Sequence, residues 1–176
     1  MTSLDYTADE IVLIILAGLP GAGKTTLAKG LASELRAVHL RIDTIEQAIR
    51  ESGVRAVSLD DAGYRVAYAL AEDNLRLGHT VIADSVNPWP ITRDAWVGVA
   101  TRAGVDRVEI EIICSDEREH RRRVETRVPD IPGFTLPTWA DVVARDYRAW
   151  DRPHMVIDTG KMSPDESTAA VLAALR

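Results

Sequence analysis

An α/β fold, with an all-parallel sheet between two layers of helices, is what this sequence of 176 residues predicts. Three observations predict it. Residues 11–17, IVLIILA, have no polar alternation, so they form a strand buried on both faces, the habit of parallel sheets. Apolar strand-like runs then alternate with helical periodicities along the chain, and right-handed crossovers between them force the strands parallel. Finally, the first strand runs into a Gly-rich turn, GLPGAGKTT, that opens a helix.

Taken in order, residues 1–10 read as a loose, flexible polar tail, and residues 11–176 as one domain. The helix after the turn carries Leu27, Leu31 and Leu35 as a stripe, with Ala28 and Ala32 beside it. A second strand, 38–42, ends in Asp43, and a helix follows over 44–52, for which Asp43 and Glu46 form a capping box. Gly53 and the pair Asp60–Asp61 mark a polar connection. Helical spacing resumes over 62–77, with Val66, Leu70 and Leu77 alongside Ala67 and Ala71, and Gly78 stops it. The third strand, 80–84, ends in Asp84. The turn NPWP starts a helix that reaches Arg102 and ends at Gly104, and a fourth strand spans 108–114.

The most charged segment, SDEREHRRRVETR, comes next, followed over 129–137 by a loop with three prolines and a glycine. A helix is expected over 138–147 and a fifth strand over 154–158. The last helix has Ser163 as N-cap, Pro164 at its first position and Glu166 completing a capping box. The single Cys114 excludes an internal disulfide and reads as core filling.

The turn matches the spacing of a phosphate-binding P-loop in the strand–turn–helix context that motif requires. Gly18, Leu19, Pro20, Gly21, Ala22 and Gly23 form the loop, whose backbone N–H groups can close on a polyphosphate. Lys24 reaches the β- and γ-phosphates, Thr25 ligates Mg2+, and Thr26 continues the helix whose positive dipole end adds to the site. ATP and Mg2+ are therefore the expected cofactors. Function in such a sheet gathers beyond the carboxyl ends of the strands. There Asp43 can accept a hydroxyl proton, Asp84 fits a carboxylate that serves the metal through water or orients Thr25, and Asp158 reads equally as a neighbour of the base or a turn residue. Among Arg118, Arg122, Arg123 and Arg127, the pair Arg123 and Arg127 share a helix face and are the arginines expected to meet the transferring phosphoryl group.

The stretches GLPGAGKTTLAKGLA, RIDTIEQAI, GHTVIADSVNPWPITRDAW and RRRVETR together resemble the small P-loop kinases of the AAA_33 group. That group is similar to the kinase domain of polynucleotide kinase, chloramphenicol phosphotransferase, gluconate kinase, adenylylsulfate kinase and zeta toxins. The resemblance implies an adenylate-kinase-like, three-layer α/β/α P-loop NTPase fold. Its five-stranded sheet would have the order 2-3-1-4-5, with a lid at about 115–137 after strand four. It also implies that Asp43 is the general base or acceptor ligand, that Asp84 serves the metal, and that Arg123 and Arg127 are lid arginines. One departure matters. Polynucleotide and adenylylsulfate kinases carry an arginine three residues after the base, where this chain has Glu46. An acid there repels an anionic acceptor. The gluconate-kinase histidine–phenylalanine signature is absent from IPGFTLPTW.

The expected activity is transfer of the ATP γ-phosphate to a small, neutral or cationic hydroxyl compound, with Trp89, Trp139, Tyr64 and Tyr68 as walls of its pocket. Two other readings compete. One is a polynucleotide 5′-hydroxyl kinase using Arg41, Arg50 and Arg93, although a net charge of -6 argues against a broad nucleic-acid surface. The other is a nucleotide-binding regulatory ATPase with no acceptor. A monomer or homodimer in the cytoplasm is expected, since the longest apolar run is too short to cross a bilayer and MTSLDYTADE is acidic where a signal peptide is basic.

Overall fold

A computed structural model describes residues 10–53 and 61–176. Residues 1–9 of the expected tail, and Asp60, lie outside the described residues. Five parallel strands, β1 (Val12–Ala17), β2 (Val38–Arg41), β3 (Val81–Asp84), β4 (Asp106–Ile113) and β5 (Met155–Asp158), are ordered β2-β3-β1-β4-β5. The helices are α1 (Lys24–Leu35), α2 (Ile42–Glu51), α3 (Ala62–Arg76), α4 (Pro90–Ala103), α5 (Glu117–Thr126), α6 (Trp139–Val143) and α7 (Pro164–Ala174). The three-layer fold and the strand order expected from the sequence are both present. None of the helices among the described residues is long and apolar enough to cross a membrane.

β1 sits at the centre of the sheet, and every one of its residues is buried. Its side chains alternate between two separate cores. Val12, Ile14 and Leu16 meet Leu27, Ala28 and Leu31 of α1 and Val171 of α7. Leu13 and Ile15 meet Ala67, Ala71 and Leu75 of α3 and Trp96, Val99 and Ala100 of α4. A strand with a dry core on each side has no use for polar residues, which accounts for the unbroken run IVLIILA.

Several boundaries move. β2 stops at Arg41 because Ile42 turns into the core as the first residue of α2, 3% exposed. Asp43 therefore lies in the first turn of α2 instead of ending a strand. The expected Asp43–Glu46 capping box is absent: the N-cap is Arg41, with no side-chain cap bond. In α3 the expected stripe Val66, Leu70 and Leu77 is exposed, and the small residues Gly63, Ala67 and Ala71 face inward with Leu75. Small side chains let that helix lie close to the sheet and to α4. Cys114 falls just after β4, half-buried, its Sγ directed at the Asp116 carbonyl; it fills no core.

The largest departure is α6, which ends at Val143 although helical spacing runs on to residue 147. The cause is Arg93 of α4, whose side chain is wholly buried. Its guanidinium donates to the carbonyls of Asn87 (3.0 Å), Arg148 (2.6 Å) and Ala149 (3.3 Å), and stacks on Trp150 at 4.3 Å. Arg148 N–H in turn donates to Pro88 O at 2.8 Å. These bonds hold residues 144–150 as a non-helical strap, because a helix would have taken those carbonyls for itself.

Asn87, fully buried at a positive φ of 46°, fastens the turn beneath the end of β1. Its Nδ2 donates to Leu16 O at 2.8 Å, and its Oδ1 accepts from Trp96 Nε1 at 3.1 Å. Asn87→Ala orphans a buried carbonyl and a buried indole N–H, so it is expected to cost about 2–5 kcal/mol in urea unfolding. A loss below about 1 kcal/mol would show that the turn is held elsewhere.

Candidate active site

At the end of β1 the chain enters the loop 18–23 with Gly18 N–H donating to Val86 O at 3.1 Å. Gly21 (φ 82°) and Gly23 (φ 103°) take left-handed conformations, and a Cβ on either would meet Val124 of α5 or Thr159 after β5. Only glycine combines that backbone with that close approach. Three of the loop's carbonyls are occupied. Leu19 O accepts from Lys24 Nζ (2.9 Å), Pro20 O from His120 Nε2 (2.8 Å) and Ala22 O from Thr159 Oγ1 (2.7 Å). Gly23 is the N-cap of α1 without a side-chain cap bond. The first amides of α1 have no partner within the helix and meet the cleft that Gly21, Gly23, Lys24, Thr25 and Thr26 line.

That cleft has a volume of about 1970 Å³. A single ligand pocket seldom exceeds roughly 1,000 Å³, so there is room for a nucleotide and a second molecule. Lys24 is 8% exposed at its floor. Burial pushes its ammonium down to about 8, against the pull of the Asp84 and Asp43 carboxylates. Asp84, 3% exposed at the end of β3, accepts from Thr25 Oγ1 at 2.8 Å and from His39 Nε2 at 3.1 Å, both on Oδ2. Burial alone would raise its carboxyl; the His39 and Thr25 bonds and the Lys24 charge hold it below the usual range.

On the opposite wall stands α2. Asp43 is 44% exposed, with one oxygen 3.8 Å from Arg41 Nη2. Glu46, one turn further along, lines the same cleft and pairs with Arg50 at 3.2 Å. Burial raises its carboxyl, helped by the Asp43 charge and opposed by Arg50. Gly63 of α3 makes way for the Glu46 side chain, since a Cβ there would clash with Glu46 Cγ. Tyr64, Tyr68 and Trp89 also line the cleft, whereas Trp139, expected with them, packs edge-on against His120.

The two arginines picked from α5 part company. Arg123 donates to Glu119 and to both the hydroxyl and the carbonyl of Thr159, at 2.9 and 3.0 Å, beside the loop. Arg127 leaves the helix as its C-cap, lies near enough to Asp43 to feel its charge, and keeps a buried Nε with no hydrogen-bond partner among the described residues. Arg93 cannot meet a phosphate, because carbonyls and aromatic rings enclose it. Arg41 chelates Asp130 of the loop after α5, at 2.8 and 2.9 Å. Arg145, which no motif marked, lines the cleft and acts electrostatically on Lys24 and Glu46. It arrives there on the strap fixed by Arg93. His39 carries no motif either; its alternation with Arg41 puts two polar side chains on one face of the half-buried edge strand β2.

A parallel sheet of order 2-3-1-4-5 whose central strand delivers GLPGAGKT to a two-substrate cleft defines a P-loop kinase, the class that passes a phosphoryl group to a hydroxyl. The chain belongs to the AAA_33 family, whose model, described as an AAA domain, matches residues 13–145. A probable adenylyl-sulfate kinase of Pseudomonas aeruginosa is 26% identical over 88% of this chain and 72% of that protein. The probable bifunctional SAT/APS kinase 2 of Sorangium cellulosum is 27% identical over 93% of this chain, which spans only 28% of that relative's length. Among solved structures, the Mycobacterium tuberculosis APS kinase in complex with AMPPNP and APS aligns with a TM-score of 0.70 at 20% identity, covering 94% of this chain and 98% of that one.

Lys24 is expected to set a pH limit on nucleotide binding. Its charge is present below about pH 8 and is lost as pH rises through that value, so affinity for ATP is expected to fall by up to about tenfold per unit above it. Calorimetry in two buffers of different ionisation enthalpy should also register proton uptake on binding near pH 8. Flat affinity with no proton uptake would place the Lys24 proton elsewhere.

Proposed function

We propose that the protein is an ATP- and Mg2+-dependent kinase of a small hydroxyl compound that is neutral or cationic. The observation that carries this reading is the pairing of Asp43 with Glu46 on the cleft wall facing Lys24. Asp43 accepts the hydroxyl proton or orients that oxygen, a role suited to an exposed carboxylate in the first turn of α2. Lys24 and the loop amides neutralise the polyphosphate. Arg127 and Arg145 meet the transferring charge from one side, and Arg123 flanks the loop. The segment 115–137 acts as the lid, with α5 resting on Gly21 and the following loop fastened to Arg41 through Asp130.

The donor set suits magnesium. Among the described residues no three His, Cys, Asp or Glu gather as a metal cage. A hydroxyl backed by one carboxylate is the sparse oxygen set that Mg2+ takes when phosphates and water fill the remaining positions. Thr25 would hold it, with Asp84 behind. When bound it supplies charge neutralisation on the phosphate oxygens.

Glu46 decides the acceptor class. A partly buried carboxylate one turn from the base repels sulfate or phosphate on the acceptor and welcomes a hydroxyl or an ammonium group. Adenylyl sulfate is the second reading, favoured by the names of the relatives and by Arg41 and Arg145 in the same cleft. ATP consumption with a panel of amino alcohols and sugars, against adenylyl sulfate, separates the two: turnover on a non-anionic member alone is expected, and turnover on adenylyl sulfate alone overturns the assignment to Glu46.

Asp43→Asn is expected to leave ATP affinity within about threefold while lowering phosphoryl transfer by about 10²–10⁴-fold. Slow ATP hydrolysis that no acceptor stimulates, unchanged by that substitution, would favour a regulatory ATPase.

A further inference from the structure

His39 is a polar residue of the half-buried edge strand β2. Val38 and Leu40 of β2 turn into the core shared with α3 and α4, so His39 and Arg41 point to the other face of the sheet, where α1 lies. There His39 Nε2 stands 3.1 Å from Asp84 Oδ2, with the histidine side chain 19% exposed. The same oxygen accepts the Thr25 hydroxyl at 2.8 Å. An ionised carboxylate only accepts, so the ring proton sits on Nε2.

We propose that His39 is a positioning residue for the magnesium site, holding Asp84 Oδ2 in the orientation that keeps the Thr25 oxygen lone pairs turned toward the metal. This rests on the kinase reading given above. The Asp side-chain amplitude makes the role necessary. Its terminal torsion is broad and nearly two-fold, and the Lys24 ammonium acts on the same carboxylate. Without a second donor on Oδ2, the carboxylate can swing toward Lys24 and release the Thr25 hydroxyl. The hydroxyl proton then has no fixed acceptor, and its lone pairs lose their aim. With His39 in place, Oδ2 is held by two donors from two different elements. Partners behind a metal ligand of this kind typically govern affinity by about 10–100-fold.

The test compares ATP binding with Mg2+ and with EDTA, by calorimetry, in the full chain. His39→Phe removes the donor at similar volume. It is expected to weaken Mg-ATP binding by about tenfold or more while metal-free ATP binding stays within about twofold. His39→Gln, whose amide nitrogen reaches the place of Nε2, should restore most of the loss; His39→Asn, which is too short, should not. The Asn and Gln pair gives the same comparison if the phenylalanine variant does not fold. Equal weakening with and without Mg2+, or no weakening in His39→Phe, overturns the proposal. Wild-type protein that binds no nucleotide in either condition overturns the kinase reading and this inference with it.

Discussion

Burial of β1 on both faces is the constraint from which the rest of the structure is measured. A strand with two dry sides must sit in the middle of a sheet. β3 meets it with Val81, Ile82 and Ala83, all buried, and β4 meets it with Val108 and Ile110 on one face and with Arg107, Glu109 and Glu111 on the other. Because the strand can neither shift nor tilt without exposing one core, its carboxyl end is a fixed point, and the phosphate-binding loop starts from it. Asn87 extends that rigidity. It fastens Leu16 to Trp96 of α4, so the layer that covers the sheet and the loop that leaves it are tied through one buried amide.

From this fixed point the charges of the cleft follow a division of labour. The floor holds Lys24 at an energetic disadvantage, partly desolvated and restrained by Asp84 and Asp43. Three of the loop's carbonyls are occupied by Lys24, His120 and Thr159, so the surface it offers to a ligand is weighted toward amides. The opposite wall carries Asp43 and Glu46; burial raises the Glu46 carboxyl, and the Asp43 charge adds to that. A site that is electropositive on one wall and acidic on the other suits two different molecules meeting in the middle.

Arg93 shows how a buried charge can serve structure. Among the described residues it pairs with no carboxylate; carbonyl dipoles and two aromatic rings solvate it instead. That arrangement stops α6 after five residues and lays residues 144–150 across α4. Arg145 reaches the cleft by this route. The phosphate contact that a polynucleotide kinase reading gave to Arg93 is excluded by the same contacts.

Much of this was legible in the chain because local rules and global fold agree. The unbroken apolar run could only be a central strand, the glycine spacing could only close a loop of that shape, and Ser163, Pro164 and Glu166 wrote the start of α7 in full. Asp84, Thr25 and Lys24 were marked by their places after a strand or in the loop. Long-range contacts decided the remainder. Periodicity could not say that alanines, not Val66 and Leu70, face the core of α3, since that depends on how near α4 lies. Nor could it say that Ile42 would be drawn inward, moving Asp43 onto a helix, or that a buried guanidinium would unwind the end of α6. His39 and Arg145 carry no motif, and their meaning comes from a partner 45 residues away in one case and a strap in the other. The sequence by itself determined the class of fold and the phosphate loop, because both rest on spacing along one element. Only the tertiary structure decided which side chains meet across the cleft, because that depends on distances between elements that no local pattern encodes.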